Sequence, residues 1–230
     1  MQPRFILASG SPRRRELIAS LGLTFEIITP DINEDIQPGE PPLDYVRRLS
    51  REKARAVAAG ISQGDALVLA ADTVVVLAAD TIGVLSAAGD TSGANGEILA
   101  KPENAAAARV MLRRLRDRAH VVCTAFTLLP VGNPEAAITD MVRTRVHMRP
   151  YTDAEIEAYI ATGDPFDKAG GYAIQHAGFS PVARIDGCYN NVVGLPLCAV
   201  KRGLARLGWP GIEAPAGCDC PVFDSRVKIT

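Results

Sequence analysis

A chain of 230 residues with 47% hydrophobic residues has the material for a packed core, as one large domain or two lobes sharing a cleft, and is not a disordered polymer. Its 25 Lys and Arg nearly balance 26 Asp and Glu, so the broad positive field of sequence-independent DNA binders is missing and any anion must be recognised locally. No apolar run reaches transmembrane length and the opening residues lack a signal-peptide pattern; the expectation is a cytoplasmic protein with neither nucleic acid nor membrane as partner.

The five cysteines are odd in number, and three of them sit in apolar or packed-looking stretches, which fits buried free thiols in a reducing compartment. Cys218-Asp219-Cys220 is too short, and lacks a second pair, for a zinc site.

Residues 4–8 read as a strand that turns at Ser9-Gly10-Ser11-Pro12 into a helix over 13–21. Ser11 suits the N-cap, Pro12 the first helical position and Gly22 the C-cap. Three arginines, Arg13-Arg14-Arg15, crowd the first turn, where the helix dipole repels cations unless an anion is bound among them. A small strand-to-helix turn followed by guanidinium groups reads as a phosphate cradle, although each arginine taken alone reads as solvated surface.

Residues 25–28 look like a second strand, leading into an acidic, proline-containing loop over 31–42 and a helix over 43–59 ended by Gly60. The apolar stripe of that helix is Val46, Leu49 and Val57, and Lys53 falls on it. Such a lysine either snorkels, the commoner outcome, or points into something polar. Residues 66–77 are continuously apolar except for Asp72 and Thr73, as in a central strand covered on both faces. A carboxylate there costs several kcal/mol if left ionised and unpaired, so Asp72 calls for a metal, a cation or a role, unless it caps an N–H at a bend.

The stretch 83–96, rich in Gly, Ala and Ser, reads as a mobile loop or hairpin extension. Lys101-Pro102 then leads into a helix over 104–116, followed by strands over 121–129 and 137–148, the second with Val142, Thr144, Val146 and Met148 on one side. Thr152-Asp153-Ala154-Glu155 has capping-box spacing and opens a helix to residue 161. A glycine-rich segment over 164–178 precedes a strand at 182–185 and a final helix over 195–207. The tail from Trp209 reads as peripheral, which gives a single domain over 1–208 and a tail over 209–230. Strands and helices interleave without regular βαβ units, so an α/β fold is expected, with a mixed central sheet flanked by helices.

Several polar groups lie where folding alone gives them little reason to be: Ser9, Arg13, Arg14, Glu34, Lys53, Asp72, Thr73, Lys101, Lys168 and Gln175. Cations around one or two carboxylates suit the hydrolysis of a polyphosphate with a divalent metal. Carboxylates hold the ion or orient water, and lysines and arginines neutralise phosphate oxygens. His120, the tyrosines and Trp209 read as packing or surface.

These residues carry a resemblance. Leu7-Ala8-Ser9-Gly10-Ser11-Pro12-Arg13-Arg14-Arg15-Glu16-Leu17, Arg51-Glu52-Lys53-Ala54, Ala71-Asp72-Thr73-Val74-Val75 and Leu99-Ala100-Lys101-Pro102 stand in the order of the Maf-type nucleotide pyrophosphatases. Asp167-Lys168-Ala169-Gly170, Ile174-Gln175 and Asn191-Val192-Val193-Gly194-Leu195-Pro196-Leu197 continue the series, so the chain resembles that family up to its last helix. The resemblance implies hydrolysis of a nucleoside triphosphate between its α and β phosphates, a two-lobed cleft fold like that of inosine triphosphate pyrophosphatase, and a homodimer. It implies Asp72 as catalytic proton acceptor, Arg13, Thr73 and Gln175 as the setters of base preference, and the branch that acts on dTTP and UTP.

On that reading phosphates lie over Ser9-Gly10-Ser11, Arg14 and Lys168 are among the substrate-binding residues, and Glu34 and Asp72 share a Mg²⁺ or Mn²⁺ ion. Lys53 and Lys101 offset phosphate charge, and the Gln175 amide pairs with the O4/N3–H edge of uracil or thymine, held in place by Thr73 or by the backbone around Gly178. Two departures from the family pattern bear on substrate breadth: the order Gly170-Gly171-Tyr172-Ala173-Ile174-Gln175-His176, and the length of the 83–96 loop. Two alternatives stay open: a pyrophosphatase for modified or non-canonical purine nucleotides, and a nucleotide-binding regulator of septum formation.

Overall fold

Strand β1 (Arg4–Ala8) is buried over its last four residues because Phe5, Ile6, Leu7 and Ala8 have apolar neighbours on both faces. The computed structural model describes residues 3–62, 66–77, 96–213, 215 and 217, and the backbone of 228–229. The loop expected over 83–96 lies outside the described residues except for Gly96.

Helix α1 (Pro12–Ala19) starts as expected, with Ser11 as N-cap accepting from the Arg14 N–H. It ends two residues early. Leu21 and Gly22 donate three residues back, to Ile18 and Ala19, and this tighter turn closes on Gly22 at φ +71°. Strand β2 (Glu26–Ile27), helix α2 (Pro42–Ala59) and strand β3 (Ala66–Leu77) follow. Next come β4 (Glu97–Leu99), α3 (Ala105–Leu115), β5 (Ala119–Pro130), β6 (Ile138–Met148) and α4 (Asp153–Ala161), the last opened by the expected capping box of Thr152 and Glu155. Strand β7 (Val182–Asp186), helices α5 (Tyr189–Val193) and α6 (Leu197–Arg206) and strand β8 (Lys228–Ile229) are the last helices and strands among the described residues.

The strand order is β2–β1–β3–β5–β6–β7–β8, with β4 also paired to β3. β1 is parallel to β2 and β3, and β7 to β8; the other pairs are antiparallel. The fold is therefore α/β with a mixed sheet.

Alternation along β3 assigns its residues to two layers. Leu67, Leu69, Ala71, Val75 and Leu77 enter the main core with residues of α1, α3, α4, α5 and α6. Ala66, Val68 and Ala70 pack with Ala54 and Val57 of α2, and Val74 and Val76 pack with Val46. Asp72 falls between these last two groups and splits the α2-side layer in two. Burial of Val46 and Leu49 contributes roughly 1.5–3 kcal/mol each, which helps hold α2 against the sheet despite the lysine on the same stripe.

Among the described residues, β4, α5 and β8 are elements beyond those expected. β4 and α5 are too short to show a period, and Asn190-Asn191 has poor helix propensity. The last helix begins at Leu197 rather than 195, because Leu195 precedes Pro196 and that position disfavours helix. Trp209, at the head of the segment read as peripheral, packs edge-on against Phe5 with ring centroids 5.2 Å apart, and β8 adds a strand beside β7. Among the described residues no helix is long and apolar enough to cross a membrane.

Candidate active site

β1 stops at Ala8, opposite Ala70, whereas β4 meets β3 from Val75, opposite Leu99. Among the described residues no strand pairs with 71–74 on that edge, and a cleft of about 580 Å³ opens at the carboxyl end of β1, where open α/β sheets bind ligands. All ten candidate residues line it. They arrive from both faces of the sheet, because Asp72 and Thr73 point to opposite sides of β3.

On one side Arg14 ties the α1 turn to the rest of the cleft. Its Nε donates to the Gly194 carbonyl (2.9 Å), Nη2 to Thr73 Oγ1 (3.0 Å) and Nη1 to Ser9 Oγ (3.5 Å). Loss of hydration lowers its pKa from the usual arginine range, against the opposing pull of Asp72 and Glu34. Arg13 reaches Asp167 across the cleft, with Nη1 3.5 Å from Oδ2, so a side-chain anion faces the crowded first turn. Arg15 is exposed and donates to the Gly10 carbonyl instead.

On the α2 side Lys53 is 7% exposed and does not snorkel. Its Nζ lies 2.7 Å from Asp72 Oδ1 and 2.9 Å from Glu34 Oε1, so an ion pair inside the cleft replaces the water its charge would otherwise need. Tyr45 donates its hydroxyl to the Glu34 carbonyl (2.9 Å), and burial, with Asp72 and Glu34 nearby, pushes its phenol up to about 12. Asp72 and Glu34, which meet the same ammonium, are the carboxylates that could hold a divalent cation. Among the described residues no cluster of three or more His, Cys, Asp or Glu could hold a metal unaided. A two-carboxylate set suits Mg²⁺ or Mn²⁺ completed by substrate oxygens and water.

The opposite wall is less as expected. The Lys168 ammonium is already saturated by Asp164 O (2.7 Å), Asp164 Oδ1 (2.8 Å) and Asp167 Oδ1 (2.5 Å), and it secures the turn at 164–168. Lys101 and Gln175 sit exposed at the rim. Thr73 does not hold the Gln175 amide, because its hydroxyl is engaged by Arg14 and by Thr124 Oγ1 at 2.9 Å. The backbone near Gly178 does not hold it either: the Phe179 N–H donates to His176 Nδ1 (2.9 Å).

Residues not anticipated complete the walls: Tyr45, Asp167, Tyr172 and Gly194 line the cleft, with Thr124 behind Thr73. Tyr172 is seated by His120, which is buried with Nε2 2.7 Å from the phenol oxygen; burial pushes the imidazole pKa down to about 3.

A family model described as Maf-like protein matches residues 4–207. The chain is 47% identical over 211 residues to a dTTP/UTP pyrophosphatase of Anaeromyxobacter dehalogenans, covering 91% of this chain and 97% of that one. It is 45% identical over 203 residues to a dTTP/UTP pyrophosphatase of Geotalea uraniireducens, covering 88% and 94%. Among solved structures it is similar to a HAM1 protein from Coxiella burnetii, at 20% identity and a TM-score of 0.39 over 66% of this chain and 75% of that one.

Proposed function

The chain belongs to the Maf-like protein family, and from that premise we propose that it hydrolyses nucleoside triphosphates, dTTP and UTP before others, to the monophosphate and pyrophosphate. The observation that most supports this reading is the meeting of Asp72, Glu34 and Lys53 in a cleft whose other side is a helix N-terminus fronted by arginines. Phosphates would lie over Ser9-Gly10-Ser11, where Gly10 lets the backbone approach, with Arg13, Arg14 and Lys101 offsetting their charge. Asp72 would take the proton of the water that attacks the α phosphorus. Lys53 would neutralise oxygens of the α and β phosphates. Glu34 and Asp72 would hold a Mg²⁺ or Mn²⁺ ion, which supplies further stabilisation of charge on the phosphates.

The test is incubation with a panel of nucleoside triphosphates and resolution of the products. Monophosphate plus pyrophosphate is expected. Diphosphate plus phosphate, or no turnover of any triphosphate, would sink the proposal.

Gln175 should govern base choice. Uracil and thymine offer an acceptor beside an N–H, which one amide matches, whereas cytosine reverses the pattern. We expect dTTP and UTP to lead CTP by at least about tenfold in kcat/KM, and Gln175→Ala to shrink that gap by lowering activity on dTTP and UTP. The exposed amide must then be ordered by the bound base itself. Equal rates on all the common triphosphates, or preference for a purine, would rule this out.

Arg13→Ala should raise KM for the triphosphate while leaving the melting temperature level or slightly higher. The contact with Asp167 is long and partly exposed, hence worth under about 1 kcal/mol, and its loss is offset by relief of repulsion at the helix N-terminus. A large fall in melting temperature with unchanged KM would show the arginine to be structural.

The buried thiol of Cys123 supports a cytoplasmic location. A second copy of the chain is the proposed partner, to be read by light scattering as a mass of about twice 24.4 kDa.

A further inference from the structure

Residues 31–41 bring Glu34 to the cleft without a helix or strand of their own, so no backbone ladder fixes where that carboxylate lands. Lys53 meets the carboxylate itself, and what holds the loop that carries it is one face of α2, where Tyr45, Arg48 and Glu52 recur at helical spacing. Arg48 pairs with Glu40 through both arms of its fork, Nε to Oε1 at 2.6 Å and Nη2 to Oε2 at 2.8 Å. Nη2 also donates to the Asp35 carbonyl (2.9 Å), one residue beyond Glu34, and Nη1 to Glu52 (3.1 Å). The guanidinium lies 5.6 Å from the centroid of the Tyr45 ring, whose hydroxyl holds the Glu34 carbonyl. The Glu40 carboxylate in turn accepts from the Gln37 N–H, which folds the far half of the loop onto the same point.

This is not a loose surface pair. The Arg48 and Glu40 side chains are 18% and 9% exposed, the setting in which a bidentate pair keeps its geometry and resists screening. Charge and hydrogen bonding act mutually: Glu40 raises the arginine, and Arg48 lowers the carboxylate from its usual range.

We infer that Arg48 is a positioning residue of the site: it clamps residues 35–40 onto α2, so that the Glu34 carboxylate meets Lys53 and Asp72. The inference rests on the proposed function of Glu34 in phosphate hydrolysis. Lysine cannot replace it, since an ammonium keeps the charge but cannot reach Glu40, Glu52 and the Asp35 carbonyl from one point.

The experiment uses the full chain with Arg48→Lys, Glu34→Gln and their combination. It measures amide exchange, and the kinetics of UTP with Mg²⁺. Arg48→Lys should raise exchange over residues 31–41 at least about tenfold while β3 and β5 keep their protection. It should lower kcat about tenfold or more with little change in KM, because the phosphate cradle is untouched. In the Glu34→Gln background the same substitution should cost less than about twofold, since both changes act through one carboxylate. Unchanged exchange over 31–41, or the full kinetic loss repeated without Glu34, would overturn the inference. Should the unmutated protein hydrolyse no triphosphate, the proposed function fails by itself, and exchange alone then decides whether Arg48 orders the loop.

Discussion

Asp72→Asn is expected to lower kcat at least about 10²-fold, a barrier increase of about 2.7 kcal/mol, in a protein that still folds. The amide matches the carboxylate in shape, so β3 keeps its ladder to β5 and its apolar neighbours on both faces. The amide oxygen can still accept from Lys53, and Glu34 remains 2.9 Å from the ammonium to balance its charge. Chemistry has no such substitute, because an amide takes no proton from water and is a poor ligand for a divalent ion. Circular dichroism and melting temperature near those of the unmutated protein, with turnover nearly lost on dTTP and UTP, is the predicted result. Near-native kcat in the folded variant would remove Asp72 from the role of base and leave the Lys53 pair as a structural device.

The same two residues show what is readable in the sequence and what is not. Each breaks a pattern: Lys53 stands on an apolar helical stripe, and Asp72 interrupts an apolar strand. Such conflicts between local pattern and residue chemistry concentrate at functional sites. The broken pattern does not say where the side chain goes. For Lys53 the general preference for snorkelling gave way to two carboxylates, one from β3 and one from a loop, whose convergence depends on the packing of α2 over the sheet. Arg14 shows the same limit more sharply, since the carbonyl it bonds belongs to Gly194, 180 residues away. β3 was legible over its whole length because burial on both faces leaves a continuous apolar run. β4 was not, because three residues carry no period, yet the gap between its pairing and that of β1 is what opens the cleft. Lys168 was read as a substrate-binding residue; its ammonium is held by Asp164 and Asp167, neighbours whose turn conformation no periodicity announces.

Lys53→Met should cost stability as well as activity, and the two losses separate in a second variant. Methionine keeps the apolar stem of the lysine against α2 and the sheet but deletes the charge. Asp72, 8% exposed, then faces the cleft beside Glu34 with no cation between them. Removing one member of a buried pair costs about 3–5 kcal/mol, and the lower end applies because the cleft is open to water and Glu34 is half exposed. For a chain of this size about 3 kcal/mol corresponds to a fall of roughly 6–12 °C in melting temperature. Turnover should fall at least about 10²-fold, the usual scale for deleting one group that stabilises transition-state charge. Adding Asp72→Asn to Lys53→Met removes the stranded charge, so the double variant should regain most of the lost melting temperature while staying inactive. Recovery of this kind distinguishes electrostatics from packing: if the double variant melts as low as the single one, the lysine stem rather than its ammonium was holding α2 to the sheet. If Lys53→Met melts like the unmutated protein, Asp72 is hydrated well enough in the cleft to need no counter-charge, and the ion pair described here is not what keeps a carboxylate inside β3.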